Sequence, residues 1–204
     1  MKYVKASNNI VDKFPYSINS LKKDNPQTSF PKNPSNATLA EWDVFPVVST
    51  SANYDPATQI ATQQGCVYNE QLQRWETDWI IRDKTAEELA EDLSVAKSKK
   101  REEIKQAFAT EELQPVESLT IQWNGGYDSA LKMDGAKRMA EMMTLNSVEF
   151  YDVNNIGHDL SIPDAETVIT GVGVVYQVLF QKKQSLYQQI DSVTTVGELD
   201  GIYW

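Results

Sequence analysis

The sequence predicts an α+β fold: a small strand-rich N-terminal domain, a connecting helix, and a C-terminal domain of short antiparallel strands and long helices. Three patterns carry this prediction. Short β-prone runs alternate with turn-forming residues up to residue 84, a helix-capping motif begins at Thr85, and apolar residues recur three and four apart near the end of the chain. We therefore divide the 204 residues into a β-rich domain (1–84), a connecting helix (85–110) and an α+β domain (111–204).

The first domain opens with a predicted hairpin. Tyr3–Lys5 and Ile10–Tyr16 are β-prone runs on either side of Ser7-Asn8-Asn9, a turn whose asparagines tolerate positive φ. A short helix is expected over Ser17–Asp24. It ends before Pro26, because the residue that precedes a proline avoids helical angles.

Prolines dominate the next segment. Three of them between residues 26 and 34 indicate an extended connection on the surface. Beyond it, Asn36 is expected to cap a brief helix over Ala37–Trp42. Val44–Val48 is predicted to be a strand, which Pro46 places at an edge of the sheet because proline cannot donate to a strand ladder.

The strongest β signal lies between Thr58 and Lys84. After a turn at Asn69–Leu72, alternate side chains share one face of a strand, namely Trp75, Thr77, Trp79 and Ile81. Trp75 and Trp79 thus form an aromatic ridge. Such a ridge most often packs in a core or a permanent interface, and a ligand platform is the alternative.

A capping box opens the connecting helix. In Thr85-Ala86-Glu87-Glu88, the threonine hydroxyl and the Glu88 carboxylate can each accept a hydrogen bond from the other's backbone N–H. The helix is predicted to run to about Thr110, and a domain boundary is expected where it starts.

The C-terminal domain is predicted to begin with two hairpins separated by a helix. The first pairs Val116–Trp123 with Tyr127–Leu131 around the turn Asn124-Gly125-Gly126. The intervening helix is expected to start at Asp134 and to continue through Leu145, and the second hairpin comprises Val148–Val153 and Asp159–Ile162.

The last long segment contains conflicting signals. Its β-branched residues, together with Gly171 and Gly173, favour a strand between Val168 and Phe180. The apolar residues, however, recur at three- and four-residue steps as far as Val193, which favours a helix that Pro163 starts. We predict a helix in which the two glycines allow another backbone to approach closely.

Composition excludes several classes of function. There are 19 Lys and Arg against 29 Asp and Glu, so the net charge is −10, which disfavours nucleic acid as a partner. One Cys and one His supply neither an internal disulfide nor a structural zinc site. No stretch resembles a signal peptide or a membrane span, so synthesis in a cytosol-like compartment is expected.

The sequence shows no catalytic signature. His158 is expected in a polar turn, and Cys66 is expected to be a small packed side chain rather than a nucleophile. Gly171-Val172-Gly173 lacks the rest of a dinucleotide-binding fingerprint. The carboxylates, abundant as they are, are expected on the surface. We therefore predict no enzyme activity and assign no catalytic, cofactor-binding or metal-binding residue.

Two stretches resemble bacteriophage proteins. The segment KFPYSINSLKKDNPQTSFPKNPSNATLAEWDVFPV, followed by YDPATQ, RWETDWIIRDKT and TAEEL, resembles the start of small tail-fibre-associated proteins. From about Lys99, KKREEIKQAF, GGYDSALKMDGAKRMAEMM, VEFYDVNNIGHDLS and IDSVTTVGELDGI are similar to an uncharacterised C-terminal domain of phage and prophage tail proteins. That domain often carries a Trp before its final helix, where this chain has Phe150 and Tyr151.

The resemblance implies a structural virion protein of a phage tail, in the fibre or baseplate region. Such a protein would be made in the bacterial cytoplasm, would attach through its N-terminal domain to other tail or fibre proteins, and would form a homo-oligomer, with a homotrimer preferred. A tail-fibre assembly chaperone and a glycan-binding or glycan-cutting receptor protein are the alternatives. The expected interface residues are Trp75, Trp79, Gly171, Gly173 and Trp204, the last within an apolar chain end expected to rest on a partner.

Overall fold

A computed structural model describes residues 2–204. The chain forms two compact units, the first ending at Leu89 and the second spanning Ala90–Trp204, whereas the sequence places the end of the first domain at residue 84. A five-stranded sheet and two short helices form most of the first unit, and long helices with two strand pairs form the second. The predicted α+β fold is confirmed.

The sheet of the first unit has the strand order β2-β1-β3-β5-β4. Its strands are β1 (Lys2–Ser7), β2 (Ile10–Tyr16), β3 (Val44–Val48), β4 (Gln59–Asn69) and β5 (Arg74–Asp83). Neighbouring strands are antiparallel except β3 and β5, which are parallel. The predicted first hairpin is confirmed, and its turn residues Asn8 and Asn9 have φ values of 52° and 61°.

The position of β3 corrects the prediction made from Pro46. β3 is the central strand of the sheet, between β1 and β5, and not an edge strand. The parallel ladder with β5 joins only Val47 to Trp75 and Val48 to Glu76. Pro46 therefore lies outside the paired stretch on that side, while on the other side it stands opposite Tyr3 in the antiparallel ladder with β1.

The two short helices are α1 (Ile18–Asp24) and α2 (Asn36–Ala40). The Ser17 hydroxyl accepts a hydrogen bond from the Ser20 backbone N–H at 3.0 Å and so caps α1. In α2 the cap is Ser35 and not Asn36, because the Ser35 hydroxyl accepts from the backbone N–H of Thr38 at 3.1 Å.

Two clusters of buried side chains stabilise the first unit. One lies on the sheet and consists of Val4, Ala6, Val47, Cys66 and Trp75. The other joins α1 and α2 to the sheet and consists of Tyr16, Leu21, Leu39 and Val44. Burial of these apolar surfaces is the main force that holds so small a sheet together.

The long helix α3 (Ala86–Glu111) begins as predicted. The Thr85 hydroxyl accepts from the Glu88 N–H at 3.2 Å, and a Glu88 carboxylate oxygen accepts from the Thr85 N–H at 2.8 Å. Both partners of the capping box are thus in place. Glu88 also binds the Arg82 guanidinium, and these bonds lower its pKa to about 2.

The start of the second unit corrects two predictions. The hairpin consists of β6 (Val116–Ser118) and β7 (Ile121–Trp123), with its turn at Leu119 and Thr120. Tyr127–Leu131 is therefore not a strand but the beginning of α4 (Tyr127–Met142), which starts after Gly126 and not at Asp134. The turn has no glycine or asparagine, although Leu119 and Thr120 have positive φ values of 53° and 62°, so the usual turn signal is missing.

The rest of the second unit follows the predicted order. β8 (Ser147–Tyr151) and β9 (Gly157–Ser161) form the second hairpin. α5 (Ile162–Ser192) is one continuous helix of 31 residues, so the helical prediction for Val168–Phe180 is confirmed. A short 3-10 helix, Val196–Gly201, follows it and was not predicted.

The second unit also has two clusters of buried side chains. The larger joins both hairpins to the first half of α5 and consists of Val116, Trp123, Phe150, Leu160, Ala165, Val168 and Val172. The smaller joins α3 to the second half of α5 and to the chain end, and consists of Ile104, Leu186, Ile190, Leu199 and Ile202. α5 therefore contributes to both.

Candidate interaction surfaces

The aromatic ridge of β5 is largely an internal feature of the first unit. Trp75 is 3% exposed and its ring contacts Tyr68 edge-on at 5.4 Å. Trp79 is half-buried, and its indole N–H donates to the Thr50 carbonyl oxygen at 3.1 Å and to the Thr77 hydroxyl at 3.2 Å. The ring of Trp75 is thus covered by residues of its own chain, and only Trp79 keeps a partly exposed ring.

Exposed apolar side chains also occur on several strands of this sheet, including Ile80 and Ile81 of β5. β2 and β4 are its two edge strands, and each carries exposed apolar residues: Ile10 and Val11 on β2, and Val67 on β4. The backbone groups on the outer side of an edge strand have no ladder partner, so an edge with apolar side chains can pair with another chain. β2 and β4 also contact each other, so the surface that they offer to another chain is centred on their exposed residues rather than on the whole of both edges.

Gly171 and Gly173 occupy different surroundings on α5. A methyl group at Gly171 would lie 3.5 Å from the Ser118 side chain of β6, an ordinary contact. At Gly173 it would meet nothing within 4 Å. The first glycine therefore faces the hairpin of its own chain, the second faces open space, and neither is required by a close backbone approach within this chain.

Trp204 is held by residues of the second unit. Its ring contacts Phe108 of α3 edge-on at 6.0 Å, and the Lys182 ammonium lies 4.4 Å from its centre. Lys183 lies 3.8 Å from the centre of the Phe108 ring. Cation–π contacts of this kind, with the aromatic packing, attach the chain end to α3 and α5.

The one histidine belongs to a structural network. His158 lies on β9, and not in the turn predicted for it, and its Nε2 is 3.2 Å from a carboxylate oxygen of Asp152. Asp152 also accepts from the backbone N–H groups of Ile156 at 2.9 Å and Asn154 at 2.8 Å, and these bonds, that from Ile156 foremost, hold its pKa below the usual range. The histidine ring stands edge-on to Trp123 at 5.4 Å.

This network orders the turn between β8 and β9. Among the hydrogen bonds of residues 2–204, the side-chain partner of His158 is the Asp152 carboxylate. Cys66 lies in the other unit, and burial raises the pKa of its thiol to about 11. Such a thiol is poorly suited to nucleophilic chemistry at neutral pH.

A cleft of about 610 Å³ lies beside α4. Its polar lining includes Asn124, Ser129, Lys132, Glu149 and Tyr151. The Tyr151 hydroxyl donates to Glu149 at 3.0 Å, which fixes the exposed ring at the rim. Glu149 is the single carboxylate among the described lining residues, so the cleft does not present the pair of acids that glycoside hydrolysis uses.

The part of the chain that the structure describes holds neither a metal-binding cluster nor a membrane-spanning helix. There, His, Cys, Asp and Glu nowhere gather in groups of three or more that could hold a metal ion. Over the same residues, no helix combines the length and the apolar character needed to cross a membrane.

No protein-family model, curated protein or solved structure matches the chain.

Proposed function

We propose that this protein is a structural component of a bacteriophage tail, in the fibre or baseplate region, where it acts as an adaptor between other tail proteins. The first unit attaches to a neighbouring protein, and the second unit associates with further copies of the chain, with a homotrimer preferred. The observation that carries the proposal is the first unit's sheet, whose two edge strands both expose apolar side chains.

An attachment role fits the properties of these edges. An edge strand supplies a row of backbone donors and acceptors to any chain that adds a strand, while exposed side chains supply specificity. Ile10 and Val11 lie next to the turn of the first hairpin, and Val67 lies near the end of β4. The motif similarity to tail-fibre-associated proteins covers the same unit, so both arguments assign attachment to it.

Mass spectrometry of purified particles tests the proposal. Particles of the phage that encodes this chain should contain it at a fixed ratio to the other tail proteins after density-gradient purification. Its presence in infected cells but absence from intact particles would refute the structural role and would support an assembly chaperone instead.

A substitution in β4 tests the attachment surface. Val67 is 49% exposed and pairs with Glu76 on β5, so Val67→Lys places a charge on the edge without a like-charged neighbour across the ladder. We expect at least a tenfold loss of incorporation into particles. Val95→Lys, at an exposed position of α3, is the matched control and should incorporate normally; equal incorporation of both variants would contradict attachment through β4.

The cleft beside α4 supports a second candidate, a receptor protein that binds host surface glycans. An exposed tyrosine fixed by a carboxylate, with amide, hydroxyl and ammonium groups nearby, offers the stacking and hydrogen-bonding groups that a sugar needs. Binding of the isolated protein to host polysaccharide, lost on Tyr151→Ala and retained on Tyr203→Ala, would support it. Absence of binding by the unchanged protein would refute it.

A further inference from the structure

The outer side of α5 carries an uncharged surface. The buried residues of this helix are Ala165, Val168, Val172, Leu186 and Ile190, which lie on one side. On the opposite side, Val174 is 55% exposed and Val178 is 58% exposed. Because the core of the second unit uses only the first side, the second side is open along the middle of the helix.

The exposed positions repeat with the spacing of a helix-packing seam. From Val174 the steps alternate between four and three residues, through Val178, Gln181, Ser185 and Gln188, all of them exposed or largely so. This is the heptad spacing that lets one helix pack along another. The same spacing extended towards the N-terminus reaches Gly171, which faces Ser118 of β6, so the open part of the seam begins at Val174. We refer to the five positions from Val174 to Gln188 as the α5 seam.

The part of α5 that holds the two valines of the seam has no charged residue of its own. No charged residue occurs between Glu166 and Lys182. Lys182 and Lys183 direct their ammonium groups over the rings of Trp204 and Phe108 of the same chain. The seam thus remains uncharged in a protein whose net charge is −10.

This distribution of charge favours a second copy of the chain over a strongly charged partner. Two copies of the chain repel each other over most of their surfaces, because each carries a net charge of −10. When two copies pack their α5 seams in parallel, valine lies against valine and glutamine against glutamine, with no like charges opposed. A strongly charged partner would gain no electrostatic attraction there. We propose that the α5 seam is the contact surface between copies of this chain.

The small size of the seam determines how the proposal can be tested. Its 14 helical steps correspond to about 21 Å of helix. A strip of that length and about 10 Å width is smaller than the ~800 Å² per partner of a typical stable interface. Association through the seam is therefore expected to be weak and to depend strongly on its two valines, so charge at both of them should abolish it.

The experiment is sedimentation equilibrium of the full-length protein from about 1 to 100 µM. We expect the unchanged chain to form oligomers and the V174E/V178E variant to raise the dissociation constant at least a hundredfold. Val95→Glu is the matched control, because Val95 is 64% exposed on α3 and receives the same substitution. It should assemble like the unchanged chain.

A charge-exchange arm separates a surface effect from a folding defect. V174K/V178K alone should also fail to assemble, whereas its equimolar mixture with V174E/V178E should recover association. Any one of four results would overturn the proposal. These are an unchanged chain that is monomeric at 100 µM, oligomers that V174E/V178E leaves unaffected, equal disruption by Val95→Glu, and a mixture of the two charged variants that does not recover association. The inference rests on the proposed self-association only, so its failure leaves the particle composition test of the tail function unaffected.

Discussion

Substitution of Gly125 by alanine should destabilise the second unit strongly. Gly125 is buried in the loop between β7 and α4, where a methyl group would overlap the carbonyl oxygen of Gln114 and lie 2.7 Å from that of Glu112. Both obstacles are backbone atoms, so no side-chain rotation relieves the clash. Forcing extra carbon atoms into a packed site typically costs 1–3 kcal/mol, and an immobile backbone places this case at about 3 kcal/mol.

Gly173 provides the matched control on the same unit. A methyl group there meets nothing within 4 Å, and the residue is in the interior of α5. Alanine is favoured over glycine inside a helix by about 1 kcal/mol, so Gly173→Ala should stabilise the protein. Urea unfolding followed by far-ultraviolet circular dichroism, which reports mainly on the long helices, measures both. A Gly125→Ala variant within 1 kcal/mol of the unchanged protein, or a Gly173→Ala variant that loses as much as Gly125→Ala, would refute the reasoning.

Three further predictions concern single side chains. Burial raises the pKa of Cys66 to about 11, so little of its thiol is ionised at pH 8. Its alkylation by iodoacetamide at that pH should be about 200-fold slower than that of an exposed cysteine, as followed by mass spectrometry. Equal rates would contradict its burial. Because the pKa of Asp152 is lowered in the folded protein, its carboxylate stabilises the fold above about pH 4, and this contribution is lost as the pH falls towards the folded-state pKa. Asp152→Asn should therefore make the free energy of unfolding fall less steeply with decreasing pH. Identical pH profiles for the variant and the unchanged protein would count against this. Thr85→Ala should cost about 1 kcal/mol in thermal unfolding while Thr85→Ser retains the cap, and two equally unstable variants would exclude the capping role.

The turns of the two hairpins differ in whether their residue types signal a turn. The first hairpin was predictable because Asn8 and Asn9 are residues that tolerate positive φ. The hairpin at Leu119 and Thr120 was not, because neither residue is of a type that signals positive φ. The glycines of Asn124-Gly125-Gly126 led us to predict the turn there instead. In the structure, Gly125 is needed because backbone carbonyl oxygens lie too close for a side chain.

Periodicity proved more informative than residue preference in α5. Its β-branched residues favour strand, yet the spacing of the apolar residues matches one buried side of a helix, and burial of that side outweighs preferences of well under 1 kcal/mol per residue. The cap of α2 is Ser35, although the sequence favours Asn36 equally, because both residue types cap helices well and the two are adjacent. The existence of these helices was thus predictable, and the start of α3 with it, whereas the starts of α2 and α4 were misplaced.

The placement of the aromatic residues explains why interface residues are difficult to predict from this sequence. A tryptophan buries a large area wherever it packs, so a small domain gains most by using it internally. Trp75 and Trp204 follow this rule, since their rings contact residues of their own units. The side chains left exposed on α5 are smaller, with Val174 and Val178 prominent among them, and the sequence distinguishes them from core valines only by their position around the helix. An association surface on this protein is therefore better sought among uncharged exposed positions with helical spacing than among its aromatic residues, and the comparison of V174E/V178E with Val95→Glu tests that principle directly.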